Sequence, residues 1–430
     1  MYRNRPLVRA AAACAIAIVG ALFAAGCASS TSQPAGAGGT QAGTQAAAVS
    51  GDPIKAMIIS EASGPSGDFA NQFTIAQAAA KAINDSGGIH GRPLEVDTCD
   101  AQSNPNQSAI CTRKATAGGY VALVGGEVTN AQVVDEIAQP AGLPWVSTTS
   151  VKAADSANPL NFPLSAGLPA QYAGAGRLAS DSGCKRMVIA TSNSPTGLAL
   201  VSNMERGIAL GTGVKKVVGV VDMQEGSTDF SPVAAKVNGY QPDCVLEITT
   251  DATTVQFLGA AETIGAKFRL VTITGVISAT DWKKLGGSGG LVQNALLASP
   301  FGATSLPAWA PYFTLIDENG GATKLNAYSS FAEGTWLAVG ALAAELRQIQ
   351  GPISKTALAA RLKKTTNLNS IMGPEGTLFP TINFTKPWSA NPQGPYEYTR
   401  SVTSQKIVGG KYVDGGFGTL DMSAAVQPVS

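Results

Sequence analysis

The sequence predicts an α/β protein of two lobes, each built on a doubly wound, mainly parallel sheet. From Ile54 onward, short runs rich in β-branched residues alternate with segments of helical periodicity, which is typical of βαβ units. The alternation forms two successive series, separated by an irregular stretch at 153–167. Residues 52–430 are enough for two lobes of ordinary size, and two lobes leave one cleft between them.

The first series alternates four predicted strands with three predicted helices. Strands are expected at 55–60, 94–99, 120–124 and 144–148, and the second and third helices near 105–117 and 131–139. The first helix carries an apolar stripe on one face and ends at Gly87 and Gly88. We interpret this stripe as core; it consists of Phe69, Phe73, Ala76, Ala80 and Ile83.

The second series repeats this architecture. A helix is predicted at 171–180, and strands are predicted at 186–191, 216–222, 244–249 and 269–274. A later apolar helix over 326–346 carries Tyr328, Phe331 and Trp336 on more than one face, which favours core packing for most of them. Trp282 and Phe301 stay open between a core and a site role.

The N-terminal residues have the three regions of a secretory signal. Arg3, Arg5 and Arg9 precede an apolar run at 10–26 that ends in small residues before Cys27. The segment resembles a bacterial lipoprotein signal, which implies a signal peptide at 1–26 and lipid on Cys27. A transmembrane helix is the alternative, but the run is shorter than the roughly 20 residues that span a bilayer. Residues 28–50 are almost entirely Ala, Gly, Ser, Thr and Gln and carry no charge, so 27–51 is predicted to be a flexible linker.

Composition and motifs argue against nucleic-acid binding, metal binding and catalysis. Without residues 1–26 the chain has 27 basic and 29 acidic side chains, a net charge of about −2. The single histidine, His90, lies in a segment of surface-turn composition, so no Ser-His-Asp or histidine-based metal site is expected. No cysteines have zinc spacing, and no GxxxxGK(S/T) motif occurs. We expect no cofactor and no enzyme; an extracellular hydrolase is the third alternative.

Four cysteines remain after the signal peptide and Cys27 are set aside. In an oxidising compartment they are expected to form disulfides, and three pairings are possible. We favour Cys99 with Cys111, which lie at a strand end and on the following helix, and Cys184 with Cys244. The second pair follows because the first and third strands of a doubly wound series lie side by side. Free buried thiols are the alternative.

Short motifs with a specific order and spacing lie between residues 54 and 149. They are Ser63-Gly64-Pro65, AAKAINDSGGIHG at 79–91, Arg92-Pro93-Leu94-Glu95-Val96, Cys99-Asp100, Asn104-Pro105 and Val124-Gly125-Gly126. Together they resemble the leucine/branched-chain amino-acid type of ABC-transporter substrate-binding proteins. The resemblance continues more weakly through 229–231 to 409–413. It implies the type I periplasmic-binding-protein fold, in which two lobes joined by three crossovers close on a small ligand.

The resemblance implies ligand-binding residues at the strand exits of the first lobe. Phe69 takes the place of an aromatic residue that covers the ligand, with simple packing as the alternative. In the loop of Glu127, Val128 and Thr129, backbone N–H groups and Thr129 are expected to receive a ligand carboxylate, while helix capping by Thr129 competes. The hydroxyl-rich segment at the next strand exit is expected to hold the polar end of the ligand; it comprises Thr148, Thr149 and Ser150.

In the second lobe, the same resemblance implies three further loops. Ser194 and Thr196 occupy a loop that usually supplies an aromatic side chain, which is missing here. Asp251 could pair with a ligand ammonium or cap the helix that follows, and it lies beside Thr249 and Thr250. The acid that binds an α-amino group should fall near Thr274 and Gly275, and neither residue ionises. An α-amino acid would therefore need Asp251 or Glu127 as its carboxylate partner, and leucine-like specificity is not expected.

These readings predict a solute-binding lipoprotein on the extracytoplasmic face of the cell membrane. It would capture an amino acid or related carboxylate or amide for an ABC permease of the branched-chain type; a ligand sensor with a separate membrane partner is the alternative. We expect a monomer without nucleic acid. The predicted domains are lobe 1 at 52–165, with roughly 300–350 returning to it, lobe 2 at 166–300, and crossover and edge elements at 351–430, which should build hinge rather than site.

Overall fold

Two parallel sheets organise the chain in this computed structural model. The structure describes residues 49–64, 69–150, 156–224, 226–277, 279–388 and 396–426. The predicted signal peptide, Cys27 and nearly all of the predicted linker lie outside the described residues. Within the described ranges, no helix is both long and apolar enough to cross a membrane.

The first lobe is built on a four-stranded parallel sheet. Its strand order is β2-β1-β3-β4, and its helices α1 to α3 follow the first three strands. The bounds are β1 (Ile54–Ser60), α1 (Ala70–Asp85), β2 (Leu94–Asp100), α2 (Pro105–Ala117), β3 (Ala122–Val124), α3 (Ala131–Ala138) and β4 (Trp145–Val146). Strand β4 is shorter than predicted, and on its outer side Trp145 exchanges backbone hydrogen bonds with Leu160 and Phe162.

The second lobe is built on a longer, mixed sheet. Five parallel strands are extended by antiparallel strands near the C-terminus, in the order β11-β10-β9-β8-β7-β5-β6, with β12 beside β10. The strands are β5 (Met187–Ser192), β6 (Val217–Met223), β7 (Cys244–Ile248), β8 (Arg269–Ile273), β9 (Leu296–Ser299), β10 (Ser401–Val408), β11 (Lys411–Asp414) and β12 (Leu420–Asp421). The helices are α4 (Gly167–Asp181), α5 (Pro195–Leu210), α6 (Ser231–Gly239), α7 (Asp251–Thr263) and α8 (Ala279–Lys284).

The chain after β9 contributes to both hydrophobic cores. Its helices are α9 (Ala310–Glu318), α10 (Gly321–Lys324), α11 (Ser330–Arg347), α12 (Lys355–Leu362) and α13 (Leu368–Met372). Leu342 of α11, Leu358 of α12 and Leu368 at the start of α13 belong to the core of the first lobe, whereas Val402 and Ile407 of β10 belong to that of the second. The segment 351–430 is therefore divided between the lobes.

Three crossovers connect the two cores within the described residues. The chain changes core between Leu164 and Ala166, between Ala298 and Phe301, and between Tyr398 and Val402. The last two are tied together, since the hydroxyl of Thr403 donates to the backbone oxygen of Ser299 over 3.2 Å. The predicted fold class, two α/β lobes joined by a three-crossover hinge, is confirmed.

Both favoured disulfides are present. Cys99 and Cys111 join β2 to α2 with their Cα atoms 5.7 Å apart. Cys184 and Cys244 join the end of α4 to β7 with their Cα atoms 5.8 Å apart. The second bridge agrees with the strand order, because β7 pairs with β5 and Met187 is in register with Cys244.

Candidate functional site

The N-terminal part of α11 connects the site loops of the two lobes. The hydroxyl of Ser330 donates to the backbone oxygen of Thr274, at the exit of β8, over 3.2 Å. A Cβ on Gly334 would lie 3.1 Å from Thr148, so glycine allows α11 to approach the exit of β4 closely. The predicted ligand loops at β4 and β8 are thereby brought to the same short stretch of helix.

The backbone of Gly275, at the exit of β8, has a conformation that favours glycine. Gly275 has φ +101°, in the region that favours glycine, and a Cβ there would lie 3.1 Å from the hydroxyl of Ser330. A glutamate at this position would therefore be strained as well as crowded.

Phe69 lies at the entrance to α1, as the residue before its first turn. Its ring is half-buried and stands edge-on to Phe331, with the ring centroids 5.3 Å apart. A Cβ on Gly275 would lie 3.8 Å from the Phe331 ring. The two phenylalanines therefore form an aromatic wall beside the β8 exit. The sequence favoured core packing for Phe331, whereas Trp336 does pack in the interior against Trp309 and Tyr312.

A buried carboxylate organises the first-lobe loops. Glu61, 1% exposed, follows β1 and accepts hydrogen bonds from the backbone N–H and the hydroxyl of Thr129 and from the hydroxyl of Ser103. The backbone N–H of Glu127 donates to the hydroxyl of Ser60 over 3.2 Å. Two of the amides expected to receive a ligand carboxylate are thus already engaged. The side chain of Val128 packs in the core between α3 and the sheet.

Thr129 does not cap α3. The N-cap residue is Asn130, and the Thr129 hydroxyl is directed to Glu61 instead. The capping alternative for Thr129 is therefore wrong, because Thr129 lies one residue before the N-cap position of α3.

Asp100 fixes the start of the loop between β1 and α1. It accepts from the backbone N–H groups of Ala62 and Ser63, at 3.0 and 3.3 Å, and from the Ser63 hydroxyl at 2.6 Å. Partial burial raises the pKa of Asp100, but these hydrogen bonds and one from Gln102 outweigh it and hold the pKa below its ordinary value. The start of this loop is therefore held by two carboxylates, its own Glu61 and Asp100 at the end of β2.

Several buried polar atoms at the strand exits have no hydrogen-bond partner among the described residues. They are the hydroxyl oxygens of Thr149 and Thr249, Oδ1 of Asp251 and Nε2 of Gln72. Neighbouring groups are satisfied: the Thr148 hydroxyl donates to the Gly126 oxygen over 3.4 Å, and those of Ser150 and Ser156 are 2.7 Å apart. Buried polar groups are nearly always paired, so the unpartnered ones point to something that completes them.

The remaining second-lobe residues have local roles. The Ser194 hydroxyl caps α5 by accepting from the Gly197 N–H over 3.1 Å, and Thr196 is half-buried in the first turn. Thr250 is exposed, and its hydroxyl donates to Thr253 over 3.2 Å. The structure thus brings Thr148, Phe69 and Thr274 together through α11, but gives Ser194 and Thr250 no comparable connection.

Buried acids surround the exits of β7 and β8. Burial first, and then the neighbouring Asp281, raise the pKa of Asp251 to about 7. Burial also raises the pKa of Glu247, on β7, to about 8. Glu333 on α11 is 1% exposed, its Oε2 has no hydrogen-bond partner among the described residues, and burial raises its pKa well above the ordinary value.

Three acids, Glu333, Asp251 and Asp281, lie close enough to Tyr412 to act on its hydroxyl. Its hydroxyl donates to the backbone oxygen of Ile277, just beyond the β8 exit. Burial raises the pKa of Tyr412, and the negative charges of Glu333, Asp251 and Asp281 add to the effect. Sequence reasoning missed Glu333 and Asp281, because they lie on α11 and α8 and carry no motif that marks them. Asp281 is paired with Lys284 over 3.2 Å.

Two cavities lie away from this site. One of about 360 Å³ is lined by α1, α9, α11 and α13, including Ile83, Trp336 and Met372. The other, of about 560 Å³, lies beside α7 and residues 286–293. Neither contains a predicted ligand residue, and the strand exits themselves are covered: Thr148, Thr249 and Thr274 are buried. Among the described residues, no cluster of histidine, cysteine or acidic side chains could hold a metal ion.

Two α/β lobes, three crossovers and a covered polar site at the strand exits define a two-lobed solute-binding protein. The chain belongs to the periplasmic binding protein family, whose model matches residues 53–388. This family comprises solute-binding proteins that act outside the cytoplasm and catalyse no reaction. The predicted family and the predicted lack of enzymatic activity are confirmed.

The relatives agree with this assignment. The chain is 24% identical to the Leu/Ile/Val-binding protein of Escherichia coli K12 over 328 residues, which are 75% of this chain and 86% of that one. An extracellular ligand-binding receptor from Verminephrobacter eiseniae has the same fold with a TM-score of 0.70, at 19% identity over 84% of this chain and 99% of that one. A solute-binding protein from R. palustris in complex with 4-hydroxybenzoate has a TM-score of 0.66, at 21% identity over 86% and 97% of the chains.

Proposed function

We propose that this protein is a lipid-anchored solute-binding protein that captures an amino acid or related carboxylate or amide and delivers it to an ABC importer. The observation that carries the proposal is the set of buried, unpartnered polar atoms at the strand exits of both lobes. In open α/β sheets, ligands bind at this edge. The members of the set are Gln72 and Thr149 in the first lobe and Thr249 and Asp251 in the second.

The energetics favour a ligand that contacts both lobes. A buried polar atom without a partner costs about 1–3 kcal/mol. A solute that supplies the missing donors and acceptors offsets this cost only when the lobes are closed around it. Its differential affinity for the closed state is what drives closure.

The acids on the second-lobe side extend the range of ligands to those with an amino group. Gly275 cannot be replaced by an acid, but Asp251 lies at the neighbouring β7 exit with one carboxyl oxygen unpartnered. We assign Asp251 as the partner of a ligand ammonium where one is present. The relatives named above include one whose name specifies leucine, isoleucine and valine and one in complex with an aromatic acid, and both ligand types belong in the screen.

Thermal-shift screening of the purified protein tests the proposal. Amino acids, aromatic acids and short amides are compared, because ligand binding raises apparent stability by mass action. A hit should weaken about 5-fold or more in Thr149→Val, which removes one ligand hydrogen bond. Thr314→Val, on the exposed face of α9, is the matched control. No hit in any class, or equal binding by Thr149→Val, would reject the assigned site.

Delivery to an importer is tested by the partner that co-purifies. We expect the ligand-loaded protein to retain an ABC permease from membranes, and Cys27→Ser to release the protein from them. Retention of a sensor protein without a permease would instead support the receptor alternative.

A further inference from the structure

Basic side chains line the edge of the second-lobe sheet opposite the strand exits. Strands β5, β6 and β8 begin at this edge, and helix α6 ends there. Seven exposed cations lie in the last turn of α6 or within two residues of the start of one of these strands. They are Lys185, Arg186, Lys215, Lys216, Lys236, Lys267 and Arg269. We call this set the basic edge.

Backbone hydrogen bonds place the basic edge in one row across the sheet. The oxygen of Lys216 accepts from the N–H of Met187 over 3.3 Å. The N–H of Asp243 donates to the oxygen of Arg186 over 3.2 Å, and its own oxygen accepts from the N–H of Arg269 over 2.8 Å. Neighbouring strands lie about 4.8 Å apart, so the row from β6 across β5 and β7 to β8 is about 15 Å long.

The two arginines of the basic edge bind helix ends. Nη2 of Arg186 donates to the oxygen of Tyr240 at the end of α6 over 2.7 Å, and Nη1 of Arg269 donates to the oxygen of Ser182 at the end of α4 over 3.3 Å. By contrast, none of the five lysines forms an ion pair or a side-chain hydrogen bond with another described residue. Their ammonium groups are therefore available to an anion from outside.

The acids near the basic edge are fewer than its cations, and each is already engaged. Asp243 accepts from two backbone N–H groups just before β5, at 2.8 and 2.9 Å. Asp181 pairs with Arg177 at 3.3 Å, and Glu262 accepts from the backbone N–H of Leu291 over 2.8 Å. The edge therefore keeps an excess of positive charge.

The corresponding edge of the first-lobe sheet is balanced in charge. There Lys55 pairs with Asp97 at 3.6 Å, and Arg92 just before β2 is followed by the exposed Glu95. The chain without residues 1–26 has a net charge of about −2. The positive charge of the second-lobe edge is therefore a local property and does not follow from the composition.

We propose that the basic edge docks the second lobe on an anionic phospholipid surface. A row of flexible ammonium groups suits the spread-out charge of such a surface, where each lysine contributes roughly 5-fold in affinity. Nucleic acid fits less well, because the aromatic rings at this edge, Tyr240 and Phe268, pack against Gly219 and Phe257 and leave no face for a base. The docking requires neither the proposed solute nor the proposed lipid anchor, and it would add to the anchor where both are present.

Binding of the full chain to phospholipid vesicles tests the docking. The chain carries Cys27→Ser, so that no lipid on this residue contributes, and its co-sedimentation with vesicles is measured. We expect it to bind vesicles of phosphatidylcholine and phosphatidylglycerol about 100-fold more strongly than vesicles of phosphatidylcholine alone, and to be released at about 0.5 M salt. The triple variant Lys185→Gln/Lys216→Gln/Lys267→Gln should lose about 10-fold or more of this preference.

A second triple variant controls for net charge. Lys324→Gln/Lys363→Gln/Lys386→Gln removes three exposed lysines that lie in sequence beside residues of the first-lobe core, and it should bind within about 2-fold of the parent chain. All six lysines are exposed, so both triple variants should melt as the parent chain does.

Equal binding to both kinds of vesicle, or an equal loss in both triple variants, would overturn the proposal. Binding of a DNA oligonucleotide at concentrations that give no vesicle binding would also overturn it, by assigning the basic edge to another polyanion. Solute binding should be the same in the parent chain and in both triple variants, so a failed docking test leaves the proposed function standing.

Discussion

The two sides of the proposed ligand site differ in how their polar groups are satisfied. On the first-lobe side, Glu61 and Asp100 each accept several hydrogen bonds and hold the loops around β1 and β3 in place. Around the exits of β7 and β8, Glu247, Asp251 and Glu333 are buried with at least one carboxyl oxygen unpartnered among the described residues. The carboxylates of the first side are held by complete hydrogen bonds, whereas the unpartnered carboxyl oxygens lie on the second side.

This contrast indicates which side determines the chemistry of the ligand. A loop whose hydrogen bonds are complete keeps one geometry whether or not a ligand is present, which lowers the entropy lost on binding. Burial raises the pKa of Asp251 to about 7, so a ligand cation beside it would favour its charged form.

Glu247 should make stability fall as pH rises. Its pKa is raised from 4.5 to about 8 by burial. The folded protein therefore binds a proton more tightly than the unfolded chain, so this stabilisation is full below about pH 4.5 and is lost up to about pH 8, with a slope of up to about 1.4 kcal/mol per pH unit. Glu247→Gln should remove this slope and be the more stable protein at pH 8, measured by urea unfolding. Glu205→Gln, exposed on α5, should behave as wild type at every pH; parallel pH profiles for Glu247→Gln and wild type would contradict the assignment.

The two disulfides should stabilise their lobes unequally. Cys184–Cys244 closes 60 residues and Cys99–Cys111 closes 12. The chain-entropy model gives about 4 kcal/mol for the longer loop and about 3 kcal/mol for the shorter. Each disulfide is removed by a pair of Cys→Ala substitutions, and the free energy of unfolding is measured in urea. The loss of Cys184–Cys244 should lower this free energy more than the loss of Cys99–Cys111. The reverse ranking would show that native packing outweighs loop length.

Removing the organising carboxylate should loosen the first-lobe loops. Glu61→Ala leaves Thr129 and Ser103 without their acceptor and should cost about 3 kcal/mol of unfolding free energy. Glu136→Ala, on the exposed face of α3, should cost less than about 0.5 kcal/mol. Faster amide exchange in the loop at 125–130 should accompany the loss in Glu61→Ala. Equal stabilities of the two variants would show that Glu61 does not hold the first-lobe loops in place.

The largest part of the architecture is readable from the sequence because it depends on local patterns. Helix α2 has the predicted bounds, since Asn104 and Pro105 mark its start, and its Asn104 side chain accepts from the N–H groups of Asn106 and Gln107. The Cys184–Cys244 bridge follows from strand order alone. Strand β9 was missed: four residues, LLAS, are too few to show a period.

Only part of the candidate site can be predicted from the sequence, because several of its contacts join residues that are far apart in the chain. Glu61 meets Thr129 across 68 positions, and Ser330 meets Thr274 across 56. Nothing in the local sequence indicates that Glu333 lies close enough to Tyr312, Tyr328 and Tyr412 to raise their pKa values. The segments at 148–150 and 249–251 are predicted from the sequence because hydroxyl groups at strand ends are a local signal. The acids around them are not, since burial rather than spacing gives them their properties.

Small-angle X-ray scattering with and without a tight ligand tests the central claim most directly. If the lobes are hinged at the three crossovers and a solute completes the polar atoms between them, the ligand should reduce the radius of gyration, and Thr149→Val should need more ligand to reach the same curve. Identical scattering from the free protein and from the protein saturated with a verified ligand would contradict the account.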